Sequence, residues 1–400
     1  MNRKFGAALA VVGLLAAALP ASAQDAWQGI VSRARGQTVY WNAWGGSAQT
    51  NTFIAWGGER VKAEFGVTIE HVKLRDTSEA VSRVLAEKTA GRTENGAVDL
   101  IWINGENFLA MRQKQLLFGP WSEALPNYRL VDTVGKPSTG IDFTVPVDGM
   151  ESPWAMAQIV FIYDSARLKS PPKSMPDMLA WAKANPGRLT HPQVRNFLGS
   201  TFLKQALYDL APDADVLQKP ATEENFASVT SGLWSWYDAL KPNLWRQGRQ
   251  FPETGPAQQQ LLADGEIDIS ISFNPADASN AIATGALPDT VRTFVLERGT
   301  IGNTSFVAIP FNAAHKEGAQ VVADFLLSAE AQARAQDPRV LGSFTVLAFS
   351  KLSPAERKLF TDLPRGVATL SNEELGITQL EPHPSWMTRI VAEWQRRYGG

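Results

Sequence analysis

Residues 38–51 read TVYWNAWGGSAQTN, and the order of the elements after them decides the fold. Thr38 to Trp44 is β-branched and aromatic, apolar on both faces, as in a strand covered on both sides by helices. Gly45-Gly46-Ser47 ends that run with residues that suit a tight turn. From Asn51, the apolar positions Phe53, Trp56, Val61 and Phe65 recur at helical spacing, weakened at Gly57-Gly58 and stopped by Gly66. A second strand is predicted at 67–74, VTIEHVKL. Asp76, Thr77 and Ser78 then offer caps for the helix SEAVSRVLAEKTA. DLIWI at 99–103 reads as a third strand and 106–117 as a third helix. Strand and helix alternate three times, which predicts a parallel sheet with right-handed crossovers and helices on its faces.

Beyond this unit, 146–164 runs from a loop into a long apolar strand, the pattern of a passage into a second domain. Helices are predicted at 176–184 and 202–210, whereas 213–256, rich in Trp, Pro and Asn, follows no period. A helix at 257–264 precedes the strand IDISISF at 267–273 and the turn Asn274-Pro275-Ala276-Asp277. TSFVAI at 304–309 reads as a strand, 316–327 as a helix, and 350–398 carries helix-like segments. There is no internal repeat or low-complexity tract.

The start is a different kind of segment. Arg3 and Lys4 precede an apolar run from Phe5 to Leu19, and Ala21-Ser22-Ala23 supplies small residues, so 1–23 reads as a secretory signal peptide cleaved after Ala23. The run is too short for a membrane span, which needs about 20 apolar residues. The chain has no cysteine, which excludes disulfides, thiolate metal sites, cysteine nucleophiles and lipid attachment at a cysteine. The expected location is therefore periplasmic, without membrane insertion. A length of 400 residues suggests two domains, and a net charge of −2 without a run of five like charges gives no case for nucleic acid.

Catalytic signatures are missing. His71, His191, His315 and His383 lie far apart without metal spacing and read as surface or capping residues. Ser170-Pro171-Pro172-Lys173 matches S-x-x-K by letters only, because that motif works on a helical turn and two prolines forbid one. The sequence thus assigns no catalytic residue, no cofactor and no metal, and predicts a protein that is not an enzyme. A secreted hydrolase and a structural or adhesion module remain as competing readings.

Ligands of open parallel sheets sit outside the carboxyl ends of the strands, where helix N-termini point. Turns of that kind are Gly45-Gly46-Ser47, Asn104-Gly105-Glu106, and Asn274 to Asp277. Glycines let backbone N–H groups approach a ligand, and helix N-termini favour negative groups. Asn104, Glu106, Asn274 and Asp277 could equally be helix caps. Asn303 and Thr304 enter a crossing strand. Trp44 and Trp154 are expected to face the ligand, Trp102 to be buried, and Trp234, Trp236 and Trp245 to line or pack the second domain. An aromatic ring near Glu106 or Asp277 suits a cation, so a zwitterion would satisfy both kinds of group.

WNAWGGSAQTN, DLIWINGENFLAMRQKQLLFGPW at 99–121, ISFNPADA at 271–278 and GNTSFVAIPFNAAHKEGAQVVADFLLSAEAQ at 302–332 carry a resemblance. Across essentially the whole mature chain, the sequence resembles the family 1 extracellular solute-binding proteins of ABC importers, most closely their YnjB-type branch. The resemblance implies an α/β, two-lobe, periplasmic-binding-protein-like fold (type II). Each lobe would be a largely parallel sheet flanked by helices, joined by a hinge of two or three crossing strands. Lobe one would comprise 25–150 with 303–345, and lobe two 151–302 with 346–400. It also implies a monomer that carries a small organic solute, thiamine-like or otherwise cationic or zwitterionic, to a membrane permease and its ATPase.

Overall fold

The computed structural model describes residues 21–364 and 366–399, so the expected leader lies almost wholly outside the described residues. The chain begins with α1 (Ala21–Ala34), β1 (Thr38–Trp44), α2 (Ala48–Phe65), β2 (Thr68–Leu74), α3 (Ser78–Thr89), β3 (Leu100–Ile103) and α4 (Glu106–Gln113). The hairpin β4 (Ile141–Asp142) and β5 (Val145–Pro146) follows, then β6 (Glu151–Gln158) and β7 (Val160–Asp164). Next come α5 (Met175–Ala184), α6 (Phe197–Leu210), α7 (Glu223–Leu240), α8 (Gly255–Ala263), β8 (Ile269–Ser272), α9 (Asp277–Ala283) and β9 (Val291–Phe294). The remainder is β10 (Thr300–Ala308), α10 (Lys316–Leu326), α11 (Ala329–Gln336), α12 (Pro354–Thr361), α13 (Asn372–Leu375), β11 (Thr378–Leu380) and α14 (Pro384–Tyr398).

The predicted alternation forms the larger sheet. β1 pairs in parallel with β2 and with β3, and β10 joins β3 antiparallel. Alternate residues enter opposite cores: Leu100 and Val307 pack with Trp41 on one face, Ile101, Ile103, Phe306 and Ala308 on the other. Both faces are covered, which explains the unbroken apolar runs. α2 starts at Ala48 because the Ser47 hydroxyl accepts the Thr50 N–H at 3.3 Å.

A second, smaller sheet has β7 between β8 and β9, antiparallel to both. The parallel character expected of both lobes therefore belongs mainly to the first. β7 continues directly from β6, whose direction is fixed by antiparallel pairing with β10, so β7 runs against its neighbours. The region without a readable period contains α7, opened by a reciprocal cap between Thr222 and Asn225. Its Trp234 and Trp236 pack the second core.

Two strands pass between the cores. β6 continues into β7 through buried Ile159, whose N–H bonds the Ile301 carbonyl of β10 at 2.8 Å. β10 pairs with β3 through Phe306–Ala308 and with β11 through Thr300–Gly302. Val346, Leu347, Leu352 and Phe360 still belong to the first core, so the last passage to the second core comes after α12 rather than at residue 346.

Trp154, expected to face a ligand, is instead 1% exposed in the first core, stacked on Phe53 at 5.9 Å and edge-on to Trp41 at 6.2 Å. Its place on β6 points it towards the α2 face, where the largest rings gather. Trp102, expected buried, is only half-buried against it at 4.9 Å. Trp154→Ala is expected to lower stability by about 3–5 kcal/mol in denaturant unfolding.

His191 also differs from its surface reading. It is fully buried between Phe202 and Phe251, at 5.0 and 4.7 Å. Its Nδ1 donates to the Pro192 carbonyl at 2.6 Å, so Nε2 accepts the Tyr237 hydroxyl at 2.8 Å and the ring is held neutral. Burial lowers its pKa to about 4. Because the folded value lies below the unfolded one, its share of stability is complete at neutral pH and is lost as pH falls from about 6.5 towards 4. Relative to a His191→Asn variant, the wild-type protein is expected to lose about 2 kcal/mol more between pH 7 and pH 5, read from denaturant midpoints.

Candidate functional site

β1 and β3 are parallel neighbours, so the turns at their carboxyl ends leave the same edge of the larger sheet side by side. In the first turn, the half-buried Trp44 indole folds over Gly46, where a Cβ would sit 2.5 Å from the ring; at Gly45 a Cβ would meet Lys73 at 2.6 Å. Ser47 caps α2 and Asn51 Nδ2 donates to the Gly45 carbonyl at 3.1 Å. In the second turn, Gly105 has φ +62° and its N–H donates to Asp142 Oδ2 at 2.7 Å. The Phe143 ring covers Gly105, leaving no room for a Cβ.

Phe143 and Thr144 form the two-residue tip of the β4–β5 hairpin, with φ of 43° and 71°. Two positive φ values make a type I′ turn, normally built from Asn and Gly. A bulky aromatic followed by a β-branched residue is strained there. Arg112 of α4 anchors the hairpin through the Pro146 carbonyl and Asp148.

The second core supplies the opposite wall. Lys204 of α6 is fully buried, and its Nζ donates to Glu381 Oε2 at 2.6 Å. The same ammonium lies 4.8 Å from the Phe143 ring centroid and 5.1 Å from that of Phe197. Asn303 Nδ2 donates to the other Glu381 oxygen at 3.1 Å. Phe273, preceding the third turn, meets Phe197 edge-on at 5.3 Å. Phe143, which covers the second turn, and Phe197, which meets Phe273 beside the third, thus both face the Lys204 ammonium, with the first turn in the same row as the second.

Several expected contact residues are engaged within the protein. Asn274 Nδ2 donates to the Leu341 carbonyl and its Oδ1 accepts the Ala276 N–H at 3.0 Å, so it builds its own turn and ties it to the first core. Asp277 begins α9 without capping it, and burial raises its carboxyl while a Ser272 hydrogen bond opposes the rise. Thr304 is buried on the Ser138 hydroxyl at 2.9 Å. Asn104 and Glu106 are half-buried at the head of α4.

Carboxylates outnumber cations here. Burial lifts Glu106 to about 7, its own backbone N–H and Lys204 opposing, Asp76 and Glu381 adding. Burial also raises Asp142 and Glu151 well above the ordinary range, and each is pushed further by neighbouring acids. Glu381 is raised by burial against the pull of Lys204 and Asn303. Asp142 Oδ1 and both Glu151 oxygens are buried without a hydrogen-bond partner.

Residues 58–356 match the family described as bacterial extracellular solute-binding protein. The chain is 40% identical to Protein YnjB of Escherichia coli (strain K12) over 390 residues, 97% of this chain and 98% of that one. The chain belongs to the bacterial extracellular solute-binding proteins. Its two-lobe fold is similar to that of the periplasmic binding protein AfuA from Actinobacillus pleuropneumoniae, solved with fructose-6-phosphate. There the TM-score is 0.64 at 16% identity, over 91% of this chain and 99% of that one. A putative spermidine/putrescine ABC transporter from Listeria monocytogenes gives 0.63 at 13%, over 90% and 98%.

The region between the lobes of this solute-binding protein uses residues that sequence reasoning missed: Asp142, Phe143, Phe197, Lys204 and Glu381. Only the lysine had a signal, a charged residue within the apolar helix FLGSTFLKQALYDL. Packing leaves little tolerance at one point. Gly342, φ +68°, would place a Cβ 1.9 Å from that of Ala276 in the third turn. Gly342→Ala is expected to lower stability by about 1–3 kcal/mol, read from denaturant midpoints.

Proposed function

We propose that this protein captures a small, positively charged organic solute between its lobes in the periplasm and delivers it, as a monomer, to the permease and ATPase of an ABC importer. Its lobes would be approximately 25–150 with 303–361, and 151–302 with the residues after α12, since Val346 to Phe360 pack in the first core. The crossings at Ile159 and Ile301 serve as the hinge, and solute favours the closed form because it touches both lobes. The protein performs no turnover and needs no metal or cofactor. Among the described residues, no helix is long and apolar enough to cross a membrane.

One observation carries the charge of the solute. Three backbone donors of these turns are spent internally: Gly105 N–H on Asp142, Thr50 N–H on Ser47, and Ala276 N–H on Asn274. Carboxyl groups border this space instead: Glu106 and Asp142 on one side and Glu381 on the other, with Lys204 as the charged group they share. A cation placed among carboxyl groups favours their ionised form, and that form in turn favours the cation. Trp44, Gly45, Gly46, Ser47, Asn104, Gly105, Glu106 and Asp277 border this space in the reading. Trp154, Asn274, Asn303 and Thr304 support it from behind. A thiamine-like cation or a zwitterion fits the same balance.

Mass spectrometry of solute co-purified with the native protein is expected to find a cation or zwitterion, and calorimetry to give saturable one-to-one binding without product. Release of a chemically altered solute would instead favour a hydrolase. Trp44→Ala is expected to weaken binding with the fold intact. With Glu106 raised to about 7, its carboxylate is lost as pH falls through neutrality, so affinity is expected to drop between pH 8 and pH 6, with protons released on binding near pH 7.

A further inference from the structure

The corner around Lys204 holds a positive charge in the manner of a ligand site. An ammonium lies over two ring faces, one from each lobe, with a carboxylate at 2.6 Å. Phe143 reaches it from the first lobe at the tip of a hairpin whose two tip residues both adopt left-handed backbone. Strain of this kind persists where the surrounding structure holds it, often at a ligand site. Phe197 comes from the second lobe at the first residue of α6, with Phe273 edge-on behind it. Glu106 and Asp142 face the same charge from the first lobe, and Glu381 from the region just after β11.

We propose that the space bounded by Phe143, Phe197, Glu106 and Glu381 is the subsite for the cationic group of the solute, and that this group takes the place of the Lys204 ammonium between the two rings. The proposal rests on the reading of the interlobe space as the solute site. It adds which residues recognise the charge and what the solute must displace. Lys204 makes one short ion pair, with Glu381, and otherwise faces the two rings. An incoming organic cation with an apolar periphery replaces that positive charge and brings a surface that fits the rings better than a primary ammonium. Lys204 is then released towards an anionic group of the same solute or towards solvent.

Choline and its uncharged carbon analogue 3,3-dimethylbutan-1-ol separate charge from shape. Calorimetry on the full chain is expected to show choline binding and none by the neutral analogue. Phe143→Leu is expected to weaken choline about tenfold, and Phe143→Trp to restore it, because only an aromatic face attracts the cation. Lys204→Ala, which removes the competitor and opens its space, is expected to bind choline more tightly than the wild type and to gain more thermal stability from it. Equal binding of both probes, indifference of choline to Phe143→Leu, or a Lys204→Ala protein that folds and binds choline no better than wild type would each overturn the proposal. Should Lys204→Ala fail to fold, the Phe143 pair in the wild-type background decides the matter. A neutral or anionic co-purified solute, held in the cleft without regard to Phe143, would overturn the subsite and leave solute capture standing. A protein that neither carries nor binds any solute would remove the capture reading itself.

Discussion

The hydrogen bond from Ile159 to Ile301 marks the place on which the molecule's organisation depends. There β6 becomes β7, and β10 exchanges one set of neighbours for another. β10 pairs with β11 through Thr300–Gly302 and with β3 through Phe306–Ala308, so its two ends serve different neighbours. Both Ile159 and Ile301 are fully buried, so the crossing has no water to compensate a broken backbone pair. The antiparallel smaller sheet is a consequence of the same crossing, since β7 inherits its direction from β6.

Electrostatics in the space between the lobes reflects how few cations are placed there. Lys204 is buried with Glu381, and a buried pair of this kind gains little over apolar packing although losing one partner is costly. Its value lies in position: it meets Phe143 from the other lobe and partly offsets Glu106 and Asp142. At the head of α4 the Gly105 N–H is taken by the Asp142 carboxyl, so that amide of the turn is already occupied by the protein's own acid. Folds similar to this one accompany a sugar phosphate in one relative and a spermidine/putrescine designation in another, so the fold leaves solute charge to the side chains.

Local chemistry made much of the first lobe legible. β1, α2, β2, α3, β3 and α4 were readable because each has a clear period and a visible stop, and a sheet covered on both faces leaves unbroken apolar runs. α7 was not readable, because its buried face carries Leu233, Trp234, Trp236, Tyr237 and Leu240, too wide for a simple stripe. The hairpin at 141–146 was invisible for another reason: Phe143-Thr144 is a pair that no turn preference selects. Trp154 and Trp102 were read in opposite senses to their burial, since a strand in this sheet packs rings on either face and sequence does not say which face is deeper.

By itself the sequence determined the alternating α/β framework, the turns at the strand ends and membership in a solute-binding family, because these depend on periodicity and on contiguous motifs. Which side chains meet between the lobes was decided only in three dimensions. Phe143, Glu381 and the helix that carries both Phe197 and Lys204 are far apart along the chain and share no pattern. Crossing strands and a strained hairpin bring them within one ion-pair or ring distance, and charge interactions depend on that separation and on exclusion of water rather than on order in the chain.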